Sequence, residues 1–146
     1  MYSGHASHYH VKNPSKYKGD LNNIVSRSSW ERRFMVWADN SLSVIEWGSE
    51  EIVLPYINKV DGKFHRYFID FFCKIRDKEG NVKKYLIEIK PEKFTKPPTQ
   101  PKNKNKRYMQ EVIQYITNES KWEAAKAFCD ERGMKFLVLT ERHLGL

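Results

Sequence analysis

The sequence predicts an α/β sandwich in which a mixed β-sheet lies between helices on both of its faces. Three observations support this prediction. An amphipathic helix comes first, a series of β-rich segments separated by turn residues follows, and a pair of helices precedes one last apolar strand. Helices before and after a group of strands can cover the two faces of one sheet.

The composition indicates one globular domain over residues 1–146. Hydrophobic residues make up 40% of the chain and aromatic residues 14%, which is enough to bury a core. The two cysteines, Cys73 and Cys129, form neither a disulfide framework nor a zinc-binding pattern. No apolar run is long enough to span a membrane, and the first residues lack the apolar centre of a signal peptide. We therefore expect an intracellular protein and exclude a secreted disulfide-rich module.

The first half of the chain predicts an arm, a capped helix and a series of strands. Residues 1–27 show no hydrophobic periodicity and predict an extended arm. Ser28 or Ser29 is a suitable N-cap for a helix over residues 30–38. Runs of β-branched and aromatic residues predict strands, which cover residues 43–47, 52–57, 65–75, 82–90 and, near the C-terminus, 136–140. The last strand is continuously apolar, so we expect it to be buried on both faces.

Two helices are predicted between the last two strands. The first covers residues 107–117. Ser120 and Glu123 form a capping-box pattern that starts the second helix, and Gly133 suits its end. The preceding segment, residues 91–107, contains four of the six prolines and predicts a flexible loop.

The excess positive charge is concentrated in two segments. Of the formal net charge of +8, residues 1–28 contribute three charges and residues 91–107 contribute five. A neutral core with two basic appendages is typical of a protein that binds a polyanion. The alternative is that these lysine-rich segments are only solvated. The candidate phosphate-binding residues are Lys12, Lys16, Lys18, Lys93, Lys96, Lys102, Lys104, Lys106 and Arg107.

A tight turn sets the register of the two strands that contain the candidate site. Gly80 suits the left-handed third position of a three-residue hairpin loop over residues 78–80, which Asp77 and Asn81 close. In this register Asp70 faces Glu88 on the neighbouring strand. Because side chains alternate along a strand, Lys90 shares the face of Glu88.

This pairing of like charges indicates a bound cation. Two carboxylates facing each other destabilise a sheet unless something offsets their repulsion. Carboxylate oxygens with a backbone carbonyl suit Mg²⁺, and a nearby lysine can hold an attacking water or offset charge on a phosphate. The alternative is an edge hairpin with a solvated, salt-bridged face. The same Glu-x-Lys spacing recurs at Glu119 and Lys121, but it falls at the predicted helix junction and predicts no site.

These residues resemble the PD-(D/E)xK nuclease superfamily. The pattern consists of Asp70, the segment Glu88-Ile-Lys90, and Glu31 on a preceding helix. The segments HRYFIDF, LIEIKP, RYMQEVIQYI and FLVLTERHL are similar to the TnsA-type branch, including phage nucleases that act on filled heads before tails are joined. The resemblance covers essentially the whole chain. It implies a restriction-endonuclease-like core, a three-layer sandwich with a mixed central sheet.

The resemblance also implies roles for individual residues. Asp70, Glu88 and the Ile89 carbonyl would hold the metal, and Lys90 would be the catalytic lysine. Glu31, which from spacing alone is an acid placed favourably near a helix N-terminus, becomes an accessory acid near a second metal.

Two departures from the family pattern are present. Ile69 replaces the proline that often precedes the first acid. The Gln-x-x-x-Tyr pattern of some relatives is not kept, because Glu111 stands four residues before Tyr115. Gln110 or Gln114 is therefore a candidate accessory residue.

The sequence as a whole predicts a Mg²⁺-dependent DNA endonuclease, with Mn²⁺ as a substitute and no small-molecule cofactor. No base-contacting element is recognisable, so we expect cutting that depends on DNA structure or ends. The resemblance implies DNA and phage head or portal proteins as partners, in the host cytoplasm or the virion. Two alternatives stay open: a non-catalytic virion protein that binds the DNA end or portal, and a nuclease that cuts RNA.

Overall fold

The computed structural model describes residues 6–103 and 105–145. Its helices and strands confirm the predicted α/β class. In chain order the α-helices and strands are β1 (Ser7–His8), β2 (Val25–Ser26), α1 (Ser29–Asn40), β3 (Val44–Ser49), β4 (Val53–Asn58), β5 (Lys63–Phe68), β6 (Phe71–Arg76), β7 (Val82–Ile89), α2 (Lys106–Glu131) and β8 (Lys135–Leu139). Two short 3₁₀-helices cover Pro14–Lys16 and Glu92–Thr95. None of the helices in these described ranges is both long and apolar enough to cross a membrane.

A four-stranded mixed sheet forms the centre of the fold. Its strand order is β3-β6-β7-β8, with β8 parallel to β7 and the other pairs antiparallel. The turn between β6 and β7 has the predicted form, with Gly80 at φ 87° and the Asp77 N–H donating to the Asn81 carbonyl at 2.8 Å. Phe71 consequently pairs with Ile87, which is the predicted register.

Two hydrophobic cores cover the opposite faces of this sheet. Phe71 of β6 and Ile87 of β7, which lie opposite each other, pack with Phe34 of α1 on one face. On the other face, Leu86 packs with Ala125 of α2. The three layers are therefore α1, the central sheet and α2, as in a restriction-endonuclease-like fold. The start of α1 is capped as predicted, because the Ser28 hydroxyl accepts a hydrogen bond from the Glu31 N–H at 3.1 Å.

The strand predicted over residues 65–75 is wrong in one respect, because the chain breaks it into β5 and β6. β5 pairs with β4 in a separate two-stranded sheet, whereas β6 belongs to the central sheet. Backbone bonds stabilise the break: the Ile69 N–H donates to the Ile52 carbonyl, and the Glu50 N–H donates to the Asp70 carbonyl, both at 3.0 Å. The chain thus changes pairing partner at Ile69 and Asp70.

The predicted pair of late helices is also wrong, since α2 is one continuous helix of 26 residues. The Ser120 hydroxyl does not cap a new helix. It donates to the Ile116 carbonyl at 2.8 Å and accepts from the Lys59 N–H at 3.2 Å. Thr117, one turn earlier, accepts from the Asn58 side chain at 3.1 Å. The polar residues that resembled a junction therefore bind the β4–β5 hairpin.

The prediction that the last strand is buried on both faces is wrong as well. β8 lies at the edge of the central sheet and pairs only with β7 among the described strands. Leu137, in its middle, is 37% exposed.

The part of the N-terminal arm that the structure describes is packed against the fold. Tyr9, Tyr17 and Ile24 are buried in the core beside α1. The buried Asp39 carboxylate accepts hydrogen bonds from the Tyr9 hydroxyl at 2.7 Å and the Lys12 N–H at 2.8 Å. These bonds fix the described part of the segment against the fold, so it is not the extended arm that the sequence predicted. Residues 1–5, the beginning of the predicted arm, lie outside the described residues.

Candidate active site

The site centres on two carboxylates at one end of the two middle strands. Asp70 immediately precedes β6, and Glu88 lies near the end of β7 with 7% of its surface exposed. The Ile89 N–H donates to the Asp70 carboxylate at 2.8 Å, which fixes Asp70 beside the end of β7. The register therefore brings Asp70 and Glu88 together on one face of the sheet.

Lys90 follows β7 directly and supplies positive charge to this pair. Its N–H donates to the Leu139 carbonyl at 2.9 Å, so the backbone at Lys90 is held by β8. Its ammonium group lowers the pKa of both Asp70 and Glu88, although other effects on these carboxyls are larger. The acid pair and the lysine thus form one electrostatic cluster.

The pKa values of the two acids show how costly their ionisation is. Burial raises the pKa of Asp70 well above its ordinary value, and the negative charges of Glu88 and Glu31 raise it further. Burial likewise raises the pKa of Glu88, against the lowering effect of the Tyr67 hydroxyl, Lys90 and Lys121. A cation at this position would offset that cost.

Glu31 reaches the same cluster from α1. It is 7% exposed, and burial raises its pKa, with the charges of Glu50 and Glu88 adding to the effect. The Arg27 N–H donates to its carboxylate at 3.2 Å. The structure therefore brings together all four residues that were predicted as catalytic: Glu31, Asp70, Glu88 and Lys90.

The Arg27–Glu50 pair was not predicted from the sequence. The Arg27 guanidinium makes two hydrogen bonds to the Glu50 carboxylate, at 2.7 and 3.1 Å. Glu50 has a left-handed backbone with φ 55°, which is unfavourable for a residue other than glycine, and such conformations concentrate at functional sites. Its N–H also binds the Asp70 carbonyl at 3.0 Å. Glu50 directly follows β3, which pairs with β6. Its place beside Asp70 therefore becomes apparent only in the folded sheet.

Tyr67 and Lys121 were also missed. The buried Tyr67 hydroxyl donates to the Glu88 carboxylate, and burial followed by the Glu88 charge raises the pKa of Tyr67, so it stays a donor. The Lys121 ammonium lies 5.5 Å from the centre of the Tyr67 ring. Lys121 precedes the core residue Ala125 by four positions, so extending the apolar stripe of α2 back by one turn would have found it.

The two candidate accessory glutamines do not contact the acid pair. Gln110 is exposed on α2, and the Gln114 amide donates to the Asn118 side chain at 3.0 Å. Lys121 lies on α2 nearly two turns beyond Gln114, and its charge acts on Glu88. Lys121 thus lies near the acid pair, although the Glu119–Lys121 spacing itself predicted no site.

The candidate phosphate-binding residues have different surroundings. Lys16 is partly buried, and its ammonium donates to the carbonyls of Asp39 and Ser41 at 3.0 and 2.7 Å, so it is tied to the end of α1. Lys104 lies outside the described residues. The other seven are exposed: Lys12, Lys18, Lys93, Lys96, Lys102, Lys106 and Arg107.

The donor groups in the cluster fit a hard divalent cation. Over residues 6–103 and 105–145, no group of three or more His, Cys, Asp or Glu side chains is arranged to hold a metal by itself. Mg²⁺ does not need such a cage, because it usually binds one or two carboxylates and keeps several waters. Asp70, Glu88 and the Ile89 carbonyl offer oxygen donors of this kind.

The fold and the acid–lysine cluster together define a nuclease with a restriction-endonuclease-like core. The family model described as TnsA-like endonuclease N terminal matches residues 41–141, and the chain belongs to this family. The chain is similar to the head completion nuclease of Enterobacteria phage T4, with 43% identity over 134 residues, which cover 89% of this chain and 87% of that protein. No solved structure matches the chain.

Proposed function

We propose that this nuclease is a Mg²⁺-dependent DNA endonuclease whose site consists of Asp70, Glu88, Lys90 and Glu31. The observation that carries the proposal is the buried pair of carboxylates beside Lys90, with Asp70 fixed by the Ile89 N–H at 2.8 Å. Two acids with raised pKa values at the end of a sheet are unstable as anions unless a cation joins them. Mg²⁺ or Mn²⁺ would bind the Asp70 and Glu88 carboxylates and the Ile89 carbonyl, and would neutralise charge on the phosphate.

The chain's own residues have separate tasks in this proposal. The Lys90 ammonium orients the attacking water and offsets the charge that develops on the phosphate oxygens. Attack by the water forms one P–O bond and breaks the bond to the 3′-oxygen. The water gives up a proton and the 3′-oxygen takes one up, which leaves a 5′-phosphate and a 3′-hydroxyl. Glu31, the accessory acid, faces the same cluster from α1. Tyr67 and Lys121 hold the Glu88 carboxylate in position.

DNA binding is assigned to the exposed basic residues of the single domain. Lys93, Lys96, Lys102, Lys106 and Arg107 lie on or beside the loop that follows Lys90, and we include Lys12 and Lys18 of the N-terminal segment. Lys104 belongs to the same basic loop by sequence. The similarity to a head completion nuclease supports a reaction at the ends of packaged phage DNA, and we propose head or portal proteins as partners in the host cytoplasm or the virion.

The proposal is tested with purified protein on linear and branched DNA, with Mg²⁺ or with EDTA. We expect cleavage with Mg²⁺ only, and loss of cleavage in Asp70→Ala and Lys90→Ala. Glu79→Gln, an acid-to-amide change in the exposed hairpin loop, is the control. If both alanine variants cleave at the wild-type rate, the assigned site is wrong.

Two further arms of the experiment separate the alternatives. Binding to DNA ends without cleavage would favour a structural virion protein, and faster cleavage of RNA of matched shape would favour an RNA nuclease. Changing Lys102 and Lys106 to Gln should lower the salt dependence of DNA binding by roughly one unit of log–log slope per phosphate contact. An unchanged slope would mean that the loop is only solvated.

A further inference from the structure

A groove beside the candidate active site has the size and lining of a binding pocket. It has a volume of about 530 Å³ and lies between the segment that follows Lys90 and the first half of α2. We call it the loop–helix groove. Its lining includes Lys93, Phe94, Lys96, Arg107, Tyr115 and Asn118. Small-molecule pockets in proteins usually span about 300–1,000 Å³, so the groove can hold a group of the size of a nucleotide.

Both elements that form the groove also carry, within three residues of its lining, a lysine whose charge acts on the acid pair. On the loop side, Lys93 comes three residues after Lys90. On the helix side, Asn118 precedes Lys121 by three residues, which is less than one turn of helix. Lys121 is the residue of α2 whose charge acts on Glu88. We therefore expect a strand that is cleaved at the acid pair to pass the groove.

The lining combines positive charge, aromatic rings and amide groups. Three cations line the groove: Lys93, Lys96 and Arg107. Arg107 pairs with Glu111, which also lines the groove, at 3.3 Å, and Lys96 pairs with Glu92 at 3.7 Å. Phe94 is 40% exposed, and the Lys93 ammonium lies over its ring, 4.8 Å from the ring centre.

Amide groups form another part of the lining. The side chains of Gln114 and the buried Asn118 are joined by a hydrogen bond of 3.0 Å. Cations suit a phosphate, an exposed ring suits a stacked base, and amides suit the edge of a base.

We propose that the loop–helix groove binds one unpaired nucleotide of the DNA next to the phosphodiester that is cleaved. This inference rests on the proposed function and adds the class of substrate: DNA with a single-stranded overhang or flap. A duplex keeps the faces of its bases stacked inside, so a base can enter a concave pocket and stack on a protein ring only when it is unpaired. Stacking on Phe94 or Tyr115 then adds to the attraction of the lysines for the backbone.

The test measures binding in Asp70→Asn, a variant that we expect not to cleave. The ligands are a blunt duplex and the same duplex with a short single-stranded overhang that carries 2-aminopurine. We expect the overhang to bind about tenfold more tightly and the fluorescence of 2-aminopurine to be quenched by stacking. Adding Phe94→Ala should abolish both effects, and Phe94→Tyr should restore them. Phe64→Ala, which removes a ring that is 75% exposed on β5, is the matched control and should change neither effect.

The outcomes separate this inference from the proposed function. Equal binding of both ligands, or a Phe94→Ala effect of equal size on both, would mean that the groove contacts only backbone phosphates and would overturn the inference. Failure of the wild-type protein to cleave any DNA with Mg²⁺ would instead refute the proposed function. The binding measurements would still test whether the groove binds an unpaired nucleotide. Thermal melts of each variant confirm that it is folded.

Discussion

Replacing Asp70 by asparagine should stabilise the metal-free protein while abolishing cleavage. The ionised Asp70 carboxylate lies beside the charges of Glu88 and Glu31, and burial is the largest cause of its raised pKa. An asparagine has nearly the same shape and keeps an oxygen that accepts the Ile89 N–H bond of 2.8 Å. The substitution therefore removes a disfavoured charge without removing the hydrogen bond.

The size of the gain follows from the surroundings of Asp70. Replacing buried charged groups by uncharged groups of similar volume can stabilise a protein by about 1–4 kcal/mol. The Ile89 N–H and the Lys90 charge already offset part of the cost, so we expect about 1–2 kcal/mol. For a chain of 146 residues this corresponds to a rise in melting temperature of roughly 2–8 °C at neutral pH.

The sign of the pH dependence follows from the raised pKa. The folded protein holds a proton on Asp70 more tightly than the unfolded chain does. Stability from this group is thus fully present below the ordinary carboxyl pKa and is lost as the pH rises through the folded value. In EDTA, the advantage of the asparagine variant over wild type should therefore grow from acidic to neutral pH.

Thermal melts with EDTA and with Mg²⁺ measure both effects. Mg²⁺ at about 100 times its dissociation constant should stabilise the wild-type protein by about 2.7 kcal/mol and the variant much less. Glu79→Gln controls for loss of one negative charge. A lower melting temperature for Asp70→Asn in EDTA, or an equal gain from Mg²⁺ in both proteins, would refute this account of the site.

Three other perturbations test separate parts of the structure. Tyr67→Phe removes the donor to Glu88 and should raise the Mg²⁺ concentration for half-maximal cleavage by about 10–100-fold. Tyr85→Phe, on the other face of β7, is the control and should leave this concentration unchanged. Asp39→Ala removes the acceptor of the Tyr9 hydroxyl and of the Lys12 and Asn13 N–H groups. Urea titrations should show a free energy of unfolding that is lower by about 3 kcal/mol, and a change below about 1 kcal/mol would show that the N-terminal segment is not anchored there. Because the raised pKa values of Asp70 and Glu88 make protons compete with the metal, cleavage at limiting Mg²⁺ should increase with pH above the range of ordinary carboxyls. A rate already constant from pH 5 would contradict this.

Local patterns were sufficient to predict the parts of the site that lie close together in sequence. The turn residues Asp77 and Gly80 determine where β6 meets β7, because a three-residue loop with a left-handed third position allows one register. That register follows from backbone geometry within about ten residues of the turn on either side. It brings Asp70, Glu88 and Lys90 together without reference to the rest of the chain.

Local patterns failed where a long-range contact overrides them. In an unbroken strand, alternation would direct Tyr67 and Asp70 to opposite faces. The break at Ile69 changes the pairing partner and lets Tyr67 of the β4–β5 hairpin bind Glu88. In the same way, contacts with Asn58 and Lys59 keep α2 continuous through Thr117 and Ser120.

The amino-acid sequence by itself determined the α/β class, the hairpin register, the acid–lysine cluster and the concentration of positive charge, since each depends on neighbouring residues or on composition. Only the tertiary structure decided that Tyr67 and Lys121 face Glu88, that Arg27 binds Glu50, and that the segment before α1 is packed on Asp39. These contacts join residues far apart in the chain. Their formation depends on how separate layers dock and exclude water, and local periodicity carries no information about that docking.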